Sequence, residues 1–145
     1  MSKQAIDILL VEDNEDDIIL TLESFHEIKT AVITHVVRNG EEAISFLRRT
    51  GAYANVPTPS LIVMDINMPK MNGFEVLDNI KQDPMLCQIP VVILTTSDRR
   101  EDINRAYRLG ASSYIPKPVG FDNFVLVAQQ FSAYWSEVSR VPAGK

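Results

Sequence analysis

Four short apolar stretches of this chain each end in a group able to do chemistry. Residues 8–11 lead into Glu12 and Asp13, residues 61–64 into Asp65, residues 90–94 into Thr95 and Thr96, and residues 113–115 into Lys117, set between Pro116 and Pro118. Gathered in one crevice, Glu12, Asp13 and Asp65 would repel one another unless a cation or protons neutralised them. An all-oxygen donor set, with no Cys or His at ligand spacing, suits Mg²⁺ that keeps several waters rather than zinc. Lys117 supplies a second, fixed positive charge. A carboxylate beside such a cation, a hydroxyl and an ammonium can receive a phosphoryl group, and Asp65 is the predicted nucleophile. Taken singly, each acid reads equally well as a helix cap or loop residue and Lys117 as a surface charge. The joint placement at four strand ends points to a site.

The elements that must position these groups follow from periodicity. Strands are predicted over 6–11, 31–37, 61–64, 90–95 and 113–115, and the first, third and fourth are almost wholly apolar, as suits strands buried on both faces. Helices are predicted over 16–28, 40–49, 73–83, 100–109 and 121–138, several opened by Asp, Asn or Gly, with Gly110 as the C-terminal stop of the fourth. Five βα units with right-handed crossovers give an α/β fold, a doubly wound parallel sheet with helices on both faces. In such sheets ligands sit beyond the carboxyl ends of the strands, where the polar groups above fall.

The stretches Ile8-Leu9-Leu10-Val11-Glu12-Asp13-Asn14, Val63-Met64-Asp65-Ile66-Asn67-Met68-Pro69-Lys70-Met71-Asn72-Gly73, Ile93-Leu94-Thr95-Thr96 and Gly110-Ala111-Ser112-Ser113-Tyr114-Ile115-Pro116-Lys117-Pro118 together resemble a response-regulator receiver domain of two-component signalling. The resemblance spans about residues 5–138. It implies a flavodoxin-like (CheY-like) strand order 2-1-3-4-5, and a phosphoryl group accepted on Asp65 from a histidine kinase or phosphotransfer protein. It further implies Mg²⁺ bound by Asp13, Asp65 and the backbone carbonyl of Asn67, with Glu12 acting through water. Lys117 then pairs with phosphoryl oxygens, Thr95 is the switch hydroxyl, and Tyr114 is the aromatic that rotates with it. Self-catalysed dephosphorylation and a cis Lys117–Pro118 bond also follow from the resemblance.

Two departures narrow it. The residue after Thr95 is usually very small in the family, whereas Thr96 is β-branched and obstructs an incoming donor or water. The stretch 48–60 is longer than the usual connection and is stiffened by Pro57 and Pro59. It is similar to the single-domain regulators that partner bacterial phytochromes, as is a last helix with Phe131, Tyr134, Trp135 and Val138 at i, i+3, i+4 and i+7. A phytochrome-type histidine kinase is therefore the expected partner. A homodimer through the fourth helix, fifth strand and fifth helix is a further expectation, with Arg99, Arg100, Asp102, Arg105 and Asp122 as candidate charges. A solvated helix face explains those charges equally well.

Composition bounds the rest. The chain has 145 residues, 46% of them apolar, and 19 Asp plus Glu against 14 Lys plus Arg, so the formal net charge is −5. One domain is expected, with no nucleic-acid surface of clustered basic residues. No apolar run approaches the length of a membrane span, and no secretory signal opens the chain. A lone Cys87 cannot form an internal disulfide, so a reducing cytoplasm is expected. His26 and His35 lack ligand companions. Residues 139–145 are expected to be a short tail without an output domain, so output is expected to pass through a downstream binding partner. A flavodoxin-like electron carrier would need a hydroxyl- and Gly-rich first loop, which Glu12-Asp13-Asn14-Glu15-Asp16-Asp17 is not. A phosphohydrolase would need a second acid where Asn67 stands, and a docking module without chemistry should lack one of Glu12, Asp13, Asp65, Thr95 or Lys117.

Overall fold

The computed structural model describes residues 6–26 and 32–117. The strands are β1 (Ile6–Val11), β2 (Val32–Val37), β3 (Leu61–Met64), β4 (Val91–Thr95) and β5 (Ser113–Pro116). The α-helices are α1 (Glu15–His26), α2 (Gly40–Arg48), α3 (Gly73–Gln82) and α4 (Arg100–Arg108), and a 3₁₀ turn spans Gly51–Tyr53. All strand pairings are parallel, in the order β2-β1-β3-β4-β5. The expected fold class and strand order are both found. Element ends differ from expectation by a residue or so: α1 begins at Glu15, and β5 runs on through Pro116. The predicted last helix, with Phe131, Tyr134, Trp135, Val138 and Asp122, lies outside the described residues, as does the Lys117–Pro118 bond.

Strict alternation along the three central strands builds two cores. Leu9 and Val11, Ile62 and Met64, and Val91 and Ile93 face α2, α3 and α4, where Phe46, Leu47, Phe74, Val76, Leu77 and Ile80 cover them. Ile8 and Leu10, Leu61 and Val63, and Val92 and Leu94 form the other face with Phe25 of α1. Side chains of successive strand residues point to opposite faces, so the strands must be apolar at every position to serve both layers. Continued one residue past the strands, the same alternation sets Glu12, Asp65 and Lys117 in the rows of the α1 face. Thr95 continues the row of Val91 and Ile93 on the α4 face, where Tyr114 also packs.

The long connection before β3 is packed. Arg49 closes α2 in the left-handed region (φ 59°), and its N–H donates to the Phe46 carbonyl at 3.1 Å. The Tyr53 ring stacks obliquely on Phe46, and Phe46 on His35, each at 5.3 Å between centroids. His35 Nε2 lies 3.0 Å from Asp7 Oδ1. Pro59 is buried, and the Ser60 N–H donates to the Asp7 carbonyl at 2.8 Å, which delivers the chain into β3.

Candidate functional site

The register aligns the carboxyl ends of β1, β3, β4 and β5, with Val11 beside Met64 and Thr95 beside Pro116. Backbone bonds carry the alignment past the strand ends. The Asp65 N–H donates to the Val11 carbonyl at 3.0 Å, the Glu12 N–H to the Val37 carbonyl at 3.0 Å, and the Lys117 N–H to the Thr95 carbonyl at 2.6 Å. The residues that follow the apolar strands are therefore fixed by the sheet itself.

Glu12, Asp13 and Asp65 each offer a carboxylate oxygen within 4.8 Å of the others. Glu12 and Asp65 are buried, at 3% and 7% exposure, while Asp13 opens to solvent. Lys117 Nζ donates to Asp65 Oδ2 at 3.0 Å and pairs with Glu12 Oε1 at 2.7 Å. Asp65 Oδ1 accepts from the Asn67 N–H at 3.2 Å, so both oxygens of the central carboxylate are held. The three predicted carboxylates and the predicted ammonium thus meet at one point. A fourth acid joins them that the sequence reading missed: Asp17 Oδ2 accepts from Lys117 Nζ at 2.6 Å.

Charge among the described residues of this cluster is out of balance: three carboxylates pair with one ammonium, and a fourth, Asp13, lies beside Glu12 and Asp65. Burial pushes Glu12 up to about 7; Lys117 opposes the shift, and the Asp65 charge adds to it. Burial also works against the Lys117 ammonium, but its bonds to Asp17, Glu12 and Asp65 outweigh that cost and hold it above the ordinary lysine range. Excess negative charge on hard oxygen donors, one of them open to solvent, fits a divalent cation of the Mg²⁺ type. Asp13 and Asp65 are placed to hold it, with Glu12 beside them.

Thr95 is fully buried at the end of β4, and its Oγ1 accepts from the Ser97 N–H at 3.4 Å. Tyr114 packs inward, its hydroxyl donating to the Ser97 carbonyl at 2.8 Å and its N–H to Tyr107 Oη at 3.1 Å. Ser97 also donates through Oγ to Asp102 Oδ2 at 2.6 Å, so one residue ties Thr95, Tyr114 and α4 together. Thr96, next in the chain, is exposed. Of the charges assigned to a dimer face, Asp102 is engaged by Ser97, Arg99 pairs with Glu101 at 2.8 Å, and the Arg105 guanidinium lies 4.2 Å above the Phe74 ring centre. Among the described residues, no helix is long and apolar enough to cross a membrane.

Residues 8–129 match the response regulator receiver domain family. Response regulator Rcp1 of Synechocystis sp. is 40% identical over 139 residues, which cover 94% of this chain and 92% of that protein. Among solved structures, the phosphorylated cyanobacterial phytochrome response regulator RcpA superposes with a TM-score of 0.90 at 38% identity, covering 97% of this chain and all of that one. The Mn²⁺-bound form of Rcp1 superposes with a TM-score of 0.87 at 38% identity, covering 95% and 99% of the two chains.

Proposed function

The chain belongs to the response regulator receiver domain family, and we propose that it accepts a phosphoryl group on Asp65 from a histidine kinase, with Mg²⁺ held by Asp13, Asp65 and the Asn67 carbonyl and with Glu12 acting through water. The observation that carries this reading is the buried Asp65 carboxylate at the end of the central strand, held by Lys117 at 3.0 Å and flanked by Glu12 and Asp13.

In the transfer an Asp65 oxygen attacks phosphorus, the N–P bond of the donor phosphohistidine breaks, and its electron pair returns to the imidazole. Lys117 follows the negative charge from the carboxylate to the phosphoryl oxygens and neutralises it there. A bound divalent cation supplies further positive charge against those oxygens. Water later attacks the acyl phosphate, releasing inorganic phosphate and restoring the Asp65 carboxylate. The new phosphoryl oxygens are acceptors for the Thr95 hydroxyl, and movement of Thr95 is felt at Ser97 and so at Tyr114 and α4. The α4–β5 surface, where Tyr107 is 50% exposed, is then the face a downstream partner or a second copy reads. A species that sediments as a monomer whether or not it is phosphorylated would contradict pairing of two copies.

Borohydride reduction of the phosphorylated chain, followed by peptide mapping, tests the acceptor. Homoserine is expected at position 65, and its appearance at another acid would refute the assignment. Thr96→Ala is expected to shorten the phosphoryl lifetime several-fold, because the exposed β-branched side chain beside Thr95 stands in the path of water. The decay of phosphoprotein after donor removal measures this, and an unchanged decay would acquit Thr96.

The kinase in this reading is phytochrome-type. The likeness to a cyanobacterial phytochrome response regulator over 97% of the chain and the packed 48–60 connection support it. Transfer from a phosphorylated phytochrome-type kinase should outpace transfer from unrelated kinases by on the order of tenfold or more, as a contact-built specificity of a kcal/mol or two allows. Equal rates would remove the partnership and leave the receiver chemistry standing.

A further inference from the structure

Lys117 has three N–H bonds, and three carboxylates surround them: Asp17 Oδ2 at 2.6 Å, Glu12 Oε1 at 2.7 Å and Asp65 Oδ2 at 3.0 Å. Glu12 and Asp65 come from strand ends. Asp17 comes from the first turn of α1, and the way that helix is capped turns it toward Lys117. Three of the described helices open on an asparagine cap; at α2, Asn39 Oδ1 accepts from the Glu42 N–H at 2.9 Å while Glu42 Oε1 accepts from the Arg38 N–H at 2.8 Å, one residue before the cap. At α3 the cap is reciprocal: Asn72 Oδ1 accepts from the Glu75 N–H at 3.0 Å, and Glu75 Oε1 accepts from the Asn72 N–H at 3.1 Å. At α1 only half of this exchange is made. Asn14 Oδ1 accepts from the Asp17 N–H at 2.9 Å, but the Asn14 N–H goes to Glu12 Oε2 at 3.1 Å. The Asp17 carboxylate, relieved of the helix end, is spent on Lys117 instead. The pair is shielded, with side-chain exposures of 27% and 6%.

We infer that Asp17 is a positioning residue for phosphoryl transfer, anchoring Lys117 from the α1 side so that one N–H stays directed at Asp65. The inference rests on the reading of Asp65 as the phosphoacceptor. With acetyl phosphate as donor, the Asp65 O–P bond forms as the P–O bond to acetate breaks, and acetate leaves with the electron pair. The Lys117 N–H that held Asp65 Oδ2 moves to a phosphoryl oxygen while Asp17 and Glu12 keep the other two. Without Asp17 the ammonium loses the shortest of its three contacts, and its long side chain is free to swing away from the line of transfer.

The test compares the native chain with Asp17→Ala and Asp17→Asn, the amide keeping an acceptor oxygen at the same reach. Three quantities are read: the rate of phosphorylation by acetyl phosphate at saturating Mg²⁺, the ¹⁵N signal of the Lys117 ammonium in EDTA, and the thermal midpoint. Asp17→Ala should slow phosphorylation by on the order of tenfold, as a misplaced charged group does. Asp17→Asn should stay within about threefold of the native rate, because a neutral acceptor replaces part of the charge-assisted bond. The slowly exchanging Lys117 signal should persist in the native chain and in Asp17→Asn and vanish in Asp17→Ala. A native rate and a native signal in Asp17→Ala would overturn the inference, as would faster uptake in both variants, which would make Asp17 a competitor for Lys117. If the native chain takes up no phosphate, the reading of Asp65 fails and this inference fails with it. A phosphorylated native chain beside an unaffected Asp17→Ala sinks the inference alone.

Discussion

Lys117→Ala is expected to destabilise the protein in EDTA by on the order of 2–3 kcal/mol and to make its stability depend on Mg²⁺ more steeply than that of the native chain. Among the described residues the ammonium is the one cation paired with this cluster, where it meets Asp17, Glu12 and Asp65, with Asp13 beside them; Glu12 and Asp65 are buried. Removing one partner of a buried charge pair leaves the other uncompensated, at about 3–5 kcal/mol where water is excluded; the opening at Asp13 lowers that figure here. A divalent cation restores the balance and stabilises the folded state by mass action, without an ammonium repelling it. Urea unfolding of both proteins in EDTA and in Mg²⁺ measures this, and equal Mg²⁺ increments would contradict the electrostatic account of the cluster. The same substitution should slow phosphorylation by on the order of 100-fold, the usual loss when a donor aimed at developing charge is removed. Mg²⁺ should not repair the rate, because it restores net charge and not the N–H directed at Asp65.

Gly73→Ala is expected to damage stability and chemistry together. A Cβ at Gly73 would lie 2.4 Å from the Asp65 carbonyl oxygen and 2.8 Å from the Ile66 Cα, both backbone atoms unable to swing aside. The helix cannot retreat either, since the Gly73 N–H bonds the Ile66 carbonyl at 2.8 Å and the reciprocal Asn72–Glu75 cap fixes the first turn of α3. Overpacking of this kind costs about 1–3 kcal/mol, and the displaced atoms carry Asp65, the proposed phosphoacceptor. Gly51→Ala is the matched control: nothing lies within 4 Å, and the cost of about 1 kcal/mol comes from its φ of +60° alone. Urea unfolding and phosphorylation rate should both fall for Gly73→Ala, whereas the rate should be native for Gly51→Ala. A native rate in Gly73→Ala would show that the Asp65 loop relaxes independently of α3.

Much of this arrangement was legible in the sequence because it depends on a period of two. Glu12, Asp65 and Lys117 stand two residues past Leu10, Val63 and Ile115, and once the strands lie parallel in one sheet these three fall on one side of one edge. The boundaries of β3 followed from the same pattern. Asp17 was not legible in this way. Its role depends on which face α1 covers and on Glu12 taking the Asn14 N–H, and neither is encoded in local spacing; Asn14-x-x-Asp17 alone reads as an ordinary cap. The 48–60 stretch looked long and stiff, but its anchoring through Tyr53, Phe46 and His35 is a tertiary contact across α2 and β2. Sequence spacing leaves the candidate dimer charges open between a pairing face and a solvated helix face. It does not show that Asp102 serves Ser97 or that Arg105 lies over Phe74.

The most direct measurement is the intact mass of the full chain after incubation with acetyl phosphate, in Mg²⁺ and in EDTA, for the native protein and for Asp65→Asn. The account predicts one added phosphoryl group, present only in the native protein and only with Mg²⁺. An unmodified native protein in Mg²⁺, or an equal mass gain in Asp65→Asn, would contradict it.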